Sequence, residues 1–213
     1  MSQKAAVFGS TGLVGSAIVD ALKKHQSIDK IYCYGRKPPM FMEGKTTEFK
    51  PFETDNFRMP EDADLVFCAL GTTIKKAGSR QDFQEVDLYA VQRIAEKSKE
   101  YGIRHLIVIS SVGADMDSKN FYLRTKGQME EAVKQAGIEH TVIVRPSLLL
   151  GKRDEKRPAE SLGKFLMAPL GFLMAGPLKK YRPIQARQVA RTMIAESLKD
   201  EKGFKILENQ NLF

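Results

Sequence analysis

The chain has 213 residues and a mass of 23.9 kDa, the size of one α/β domain and enough to bury a core without disulfides or metal. With 42% hydrophobic and 28% charged residues, it is neither a disordered nor a fibrous sequence. Lys and Arg outnumber Asp and Glu by 34 to 26, for a net charge of +8, which favours anionic partners without choosing among phosphorylated cofactor, acidic substrate, nucleic acid and membrane surface.

In chain order, Ala5 to Phe8 predicts a first strand, followed by Gly9 and a helical pattern to about His25. Ile31 to Tyr34 predicts a second strand, Lys45 to Phe52 a weaker third, and Asp64 to Leu70 a continuous apolar fourth. Gln81 to Glu100 has the period of one long amphipathic helix, with Phe83, Val86, Val91, Ile94 and Ala95 near one face. His105 to Ile109 is the most β-rich segment, and Tyr122 to Gln135 follows as a helix. Thr141 to Val144 is a strand ended by Arg145-Pro146, Gln188 to Leu198 a last helix and Phe204 to Leu207 a last strand. Alternation of this kind, with strands apolar on both faces, predicts an α/β fold with a doubly wound, mostly parallel sheet. Residues 1–213 are expected to form one domain.

The stretch from Gly151 to Pro183 breaks the rhythm. A charged cluster that includes Arg153 and Arg157 precedes an apolar stretch, Phe165 to Leu178, broken by Pro169, Gly171, Gly176 and Pro177. It is too short and too interrupted to span a bilayer, and is expected to be a substrate-side insertion that packs on the sheet and closes a pocket, with a dimer contact or an interfacial membrane patch as the alternatives. Cys33 and Cys68 lie inside apolar runs without CxxC or metal-ligand spacing, and the apolar run after Met1-Ser2-Gln3-Lys4 is too short for a signal peptide. Both features point to the reducing cytoplasm.

The sharpest motif is Gly9-Ser10-Thr11-Gly12-Leu13-Val14-Gly15, placed directly after a strand and opening a helix. Gly9 allows the turn off the strand, Gly12 lets a pyrophosphate approach the backbone, and Gly15 lets the helix pack against the sheet. The free amides and dipole of the helix start then bind the anion. At the end of the second strand, where an NAD binder usually carries an acid for the ribose hydroxyl, this chain has Tyr34-Gly35-Arg36-Lys37 and no carboxylate before Glu43. Arg36 suits a 2′-phosphate, with Lys37 beside it, so NADP is the expected cofactor.

Tyr122 and Lys126 stand four apart on a predicted helix and therefore share a face, while Ser110-Ser111 end the β-rich strand where open α/β sheets bind ligands. A free tyrosine has a pKa near 10, and an adjacent ammonium with a cationic nicotinamide favours its charged form. Ser111 is then expected to hold a substrate oxygen, Tyr122 to exchange its proton, and Lys126 to tune the phenol and bond the nicotinamide ribose.

These motifs occur in one order with Ser110-Ser111-Val112-Gly113-Ala114, Arg145-Pro146-Ser147 and Arg182-Pro183-Ile184. The set resembles the atypical short-chain dehydrogenase/reductases, within them the Tat-interacting-protein-like group, with NmrA-like sensors as relatives. The resemblance covers nearly the whole chain. It implies a Rossmann domain with NADP across the carboxyl edge of the sheet and a Ser, Tyr, Lys triad. It also implies that Leu70, Gly71, Thr72 and Ser110 lie near the cofactor and that Pro146, Ser147 and Leu148 border the nicotinamide. The Ser-to-Tyr interval is only 11 residues from Ser111, so either Ser110 or Ser111 fills the serine role.

Other residues read more plainly. His25, His105 and His140 have no metal spacing, Asp87 suits either a cofactor-side polar role or the helix dipole, and Arg145 either lines the pocket or forms a structural ion pair. No helix carries a dense basic face interleaved with aromatics, so nucleic acid is not an expected partner. The expected function is an NADP-dependent oxidoreductase acting on a small carbonyl or alcohol, with an anionic substrate suited to Arg153 and Arg157. The alternative is a non-catalytic NADP-binding sensor that acts through a protein partner or a second copy of itself.

Overall fold

Continuous β-branched runs cannot leave one face in water, and in the computed structural model they become the inner strands of a sheet covered on both sides. The structure describes residues 2–39, 46–54, 56–151 and 176–213. The main sheet contains β1 (Gln3–Phe8), β2 (Ile28–Gly35), β3 (Thr46–Pro51), β4 (Leu65–Cys68), β5 (His105–Ile109), β6 (His140–Arg145) and β9 (Gly203–Glu208). Their order is β3-β2-β1-β4-β5-β6-β9 and every neighbouring pair is parallel, as the doubly wound expectation requires.

Alternation along the strands builds two cores. Ala5, Val7, Leu65, Phe67, Ile107 and Ile109 face one layer, formed by α1 (Leu13–Lys23) and α6 (Ala186–Ser197). Ala6, Phe8, Val66, Cys68, Leu106 and Val108 face the other, formed by α4 (Ala90–Glu100) and α5 (Phe121–Gln135). β2 starts three residues before the hydrophobic run that predicts it. The ladder to β1, with Gln3 opposite Ile28, sets that end, and polar Asp29 and Lys30 are carried within it.

The predicted single helix from 81 to 100 is instead three consecutive pieces. After the short α2 (Ile74–Ala77), α3 (Arg80–Gln84) passes into a π-helical turn, Glu85–Tyr89, and then into α4. Around this wide turn Val86 is only half-buried, while Asp87 and Leu88 are buried. Asp87 lies three, four and seven residues before Ala90, Val91 and Ile94, so a carboxylate stands on the same face as these buried apolar side chains.

A minor parallel pair, β7 (Leu149–Leu150) and β8 (Ile184–Gln185), brings together the two ends of the expected insertion. Its centre, with Arg153, Arg157 and all but the last residues of the apolar stretch Phe165 to Leu178, lies outside the described residues.

All the loops that carry the motifs leave the carboxyl ends of parallel strands and so meet along one edge, around the β1–β4 gap where the strand order reverses. The loop after β5 is held there by α5. Asn120 caps that helix by accepting the Leu123 N–H at 3.2 Å, and the Asp115 N–H donates to the Leu123 carbonyl at 3.1 Å. Gly127 completes the fit, since a Cβ there would lie 2.1 Å from Met116 N and 2.3 Å from the Asp115 carbonyl carbon. Gly127→Ala should therefore lower the melting temperature by roughly 4–10 °C, measured by calorimetry, because backbone rather than a pliable side chain must move. An unchanged melting temperature would refute this close approach.

Candidate functional site

The glycine loop is built on one acceptor. The Tyr34 carbonyl at the end of β2 receives the Gly9 N–H at 3.0 Å, the Ser10 N–H at 3.2 Å and the Ser10 hydroxyl at 3.1 Å. Gly9 has φ +77°, and a Cβ there would lie 2.7 Å from the Ala69 carbonyl oxygen after β4. A Cβ on Gly15 would lie 2.1 Å from the Gly9 carbonyl oxygen, so α1 can start this close to the loop only with glycine. Gly12 is the N-cap of α1. It provides no side-chain cap, and the first turn contains no acidic residue. The helix therefore presents its opening amides and positive dipole end without a built-in acceptor. Thr11 and Gly12 are exposed, Leu13 is half-buried, and Val14 and Gly15 are buried. Ser10 is fully buried, and its hydroxyl anchors the loop.

Arg36 and Lys37 leave the end of β2 beside this loop. The Cβ position of Gly35 is 3.5 Å from Ser10 Oγ and 3.9 Å from Thr11 Oγ1. Both basic side chains are exposed, and among the described residues Arg36 has no hydrogen-bond or ion-pair partner. A bare helix start with a guanidinium at its side fits the diphosphate and adenosine end of a dinucleotide.

Two buried ion pairs occupy the other half of the edge. Lys126 Nζ lies 2.6 Å from Asp87 Oδ1, and the two side chains are 4% and 1% exposed. Burial is the largest single influence and pulls the lysine toward its neutral form, but the Asp87 charge, the nearby Tyr122 and the hydrogen bond to Asp87 together outweigh it and hold the ammonium above the ordinary lysine range. The other Asp87 oxygen accepts the Thr72 N–H at 2.8 Å, which ties the Leu70–Thr72 loop to α5 through the π-helical turn. Asp87 is thus an internal partner of Lys126 rather than a helix-dipole residue.

The second pair involves a residue that sequence reasoning missed. Glu130 on α5 is buried and accepts the Ser110 hydroxyl at 2.5 Å. The Arg145 guanidinium grips the same carboxylate, Nε at 3.0 Å from Oε1 and Nη2 at 2.5 Å from Oε2, and its Nη1 reaches Glu208 at 2.8 Å. Of the two readings open for Arg145, the ion pair is the one observed. The available signal was positional: Glu130 lies four residues after Lys126 and next to the core residue Met129.

The remaining predicted residues are distributed unevenly. Ser111 is half-buried, and among the described residues its hydroxyl has only the Val112 carbonyl at 3.5 Å as a partner. The flanking backbone is fixed to the β6 side, with the Ser110 N–H on the Val144 carbonyl at 2.7 Å and the Val112 N–H on the Pro146 carbonyl at 3.0 Å. Tyr122 packs its ring on Phe83, centroids 5.6 Å apart, and its hydroxyl makes no hydrogen bond among the described residues. Ser147 turns its hydroxyl to the Arg182 carbonyl at 2.5 Å, and its N–H goes to the buried Asn209 side chain at 2.9 Å. Pro146 is buried and Leu148 half-buried beside it. His105 and His140 start adjacent strands with rings 4.8 Å apart, at the opposite edge of the sheet.

Sheet order, glycine loop and helix start together define a dinucleotide-binding protein of the Rossmann type. Over residues 9–199 the chain matches the family described as NAD(P)H-binding, and it belongs to that family, in its atypical short-chain dehydrogenase/reductase group. It is 32% identical over 206 residues to Protein FMP52, mitochondrial, of Candida albicans, covering 92% of this chain and 89% of the relative. It is 33% identical over 175 residues to the fmp52 protein of Emericella nidulans, covering 78% and 75%. Among solved structures it resembles MoeE5 in complex with UDP-glucose and NAD, with a TM-score of 0.73 and 15% identity over 96% of this chain and 75% of that one. It also resembles a UDP-glucose 4-epimerase from Thermotoga maritima, with a TM-score of 0.68 and 15% identity over 96% and 76%. At such identities the structural likeness shows the fold alone.

The relatives correct one expectation. The FMP52 proteins of Candida albicans, Lodderomyces elongisporus and Aspergillus terreus are named mitochondrial, which overturns the cytoplasmic location read from cysteine usage. Cys33 and Cys68 are both free and buried. Such thiols report the redox conditions a chain tolerates, not its address. Among the described residues, no helix is long and apolar enough to cross a membrane.

The glycine loop predicts two separable effects. Gly12→Ala should weaken dinucleotide binding at least about tenfold with a smaller loss of melting temperature than Gly15→Ala, because its Cβ meets the nearest backbone oxygen at a tight 3.2 Å rather than 2.1 Å but intrudes on the anion site. Gly15→Ala should lower both. Equal losses of stability in the two variants, measured by thermal melting beside cofactor titration, would contradict these roles.

Proposed function

We propose that the chain is an NADP-dependent reductase for a small carbonyl compound, acting as one domain with 151–183 on its substrate side. The observation that carries this reading is that two hydroxyls, Ser111 and Tyr122, have no strong partner among the described residues, on the loop and the helix that follow β5, where Lys126 is held as an ammonium. The opening turn of α1 would hold the diphosphate, Arg36 and Lys37 the 2′-phosphate, and Lys126 the nicotinamide ribose. Leu70, Gly71, Thr72, Pro146, Ser147 and Leu148 would border the nicotinamide half. When bound, the reduced dinucleotide supplies a hydride for the carbonyl carbon.

The chain's own residues then handle the oxygen. Ser111 donates a hydrogen bond that orients it, and Tyr122 passes its phenolic proton to it, leaving an alcohol. Lys126, one helical turn away from Tyr122, places positive charge where the phenolate develops. Asp87 fixes the position of that charge and keeps it protonated. The net charge of +8 is in keeping with an anionic substrate. One observation favours the competing reading, a dinucleotide-responsive sensor with a protein partner or second copy: Lys126 already has a full counter-charge in Asp87.

Calorimetric titration should show tighter binding of NADPH than of NADH. Arg36→Ala should cost NADPH about tenfold or more in affinity, with little change for NADH, as expected for the loss of a charge-assisted contact. Equal affinities in the wild-type protein would remove Arg36 from this role. Tyr122→Phe should cut NADPH consumption across a panel of reactive carbonyl compounds by about 100-fold or more at unchanged cofactor affinity. Unimpaired turnover would exclude Tyr122 as the proton donor, and its absence in the wild-type protein would favour the sensor.

A further inference from the structure

Two adjacent serines end β5, and their surroundings differ. Ser110 is 7% exposed and gives its hydroxyl to Glu130, a carboxylate already held by Arg145, which is in turn held by Glu208. Among the described residues the Ser111 hydroxyl, one residue on, has only the 3.5 Å contact to the neighbouring Val112 carbonyl. The backbone on either side of Ser111 is pinned to the segment after β5's neighbour, through Ser110 to Val144 and Val112 to Pro146. We infer that Glu130 is a positioning residue. By taking the Ser110 hydroxyl out of the pocket, it fixes the turn that presents Ser111, and Arg145 neutralises the charge needed to do so. The catalytic part of this inference rests on the reductase reading above, whereas the tether itself does not.

The physical logic follows from the connections. A buried carboxylate needs a cation and hydrogen bonds to be tolerated, and Glu130 obtains both from different elements: Arg145 from β6 and Ser110 from β5. Its position on α5 links both strand ends to the helix that carries Tyr122 and Lys126. The serine turn, the segment that starts at Pro146 and the Tyr122 helix are therefore held in one frame by one carboxylate. A hydroxyl that must meet a substrate oxygen within a few tenths of an ångström benefits from such a frame.

Glu130→Ala would strand Arg145, so the informative variant is Ser110→Ala, which keeps the Glu130–Arg145–Glu208 pairs. Amide hydrogen exchange should show the Ser110 and Val112 amides losing protection by roughly tenfold or more in Ser110→Ala, while the β4 and β6 amides keep theirs. Unchanged protection at those two amides would overturn the tether, whether or not the protein turns over any carbonyl. With a reactive carbonyl and NADPH, Ser110→Ala should lower kcat about tenfold at unchanged cofactor affinity, and the loss should vanish in a Ser111→Ala background. A loss of the same size in both backgrounds would show that Ser110 acts on its own and would overturn the positioning role. If the wild-type protein consumes no NADPH with any carbonyl, the reductase reading fails, and the exchange result alone decides the tether.

Discussion

Three donors from the loop after β1 converge on the Tyr34 carbonyl, and the geometry of the whole cofactor edge depends on that contact. It draws the loop sideways onto the end of β2, next to Arg36, while Gly9 presses against the backbone after β4. Because the Ser10 hydroxyl is used in this anchor, the loop presents its amides together with the exposed Thr11, and α1 starts with its dipole end bare. Any side chain at Gly15 would separate the helix from the loop and dissolve the arrangement.

The other half of the edge is organised by charge rather than by glycine. Asp87–Lys126 and Glu130–Arg145 both lie on the α4/α5 side of the sheet, and each joins a helix to a loop or strand end. Burying such pairs contributes little net stability, but breaking one leaves an uncompensated charge at a cost of about 3–5 kcal/mol. The pairs consequently act as constraints on geometry. One fixes the ammonium under the Leu70–Thr72 loop, and the other fixes the serine turn. Among the described residues the hydroxyls of Tyr122 and Ser111, by contrast, lack strong internal partners.

Asp87 itself sits in the π-helical turn. It lies three, four and seven residues before Ala90, Val91 and Ile94, so the helical period carries it onto their buried face. There it supplies the counter-charge for Lys126, while Val86 is left half out. Periodicity marks the position as buried but cannot say why a carboxylate stands there, because its partner is on another helix.

Much of the fold was legible in the chain itself. Alternating apolar runs and helical periods specify a covered parallel sheet, since only that arrangement buries strands apolar on both faces. The glycine spacing specifies the phosphate loop, since a Cβ at Gly9 or Gly15 meets backbone. The serine, tyrosine and lysine were visible as residue types at suitable spacings. Their partners were not. Asp87, Glu130 and Asn209 are separated from Lys126, Arg145 and Ser147 by 15 to 62 residues, and only the three-dimensional packing reveals that they meet. Local patterns encode which face of an element is buried, but a polar group's partner across the fold depends on distances that no local pattern carries, so it was tertiary structure alone that tied Ser110 rather than Ser111 to Glu130.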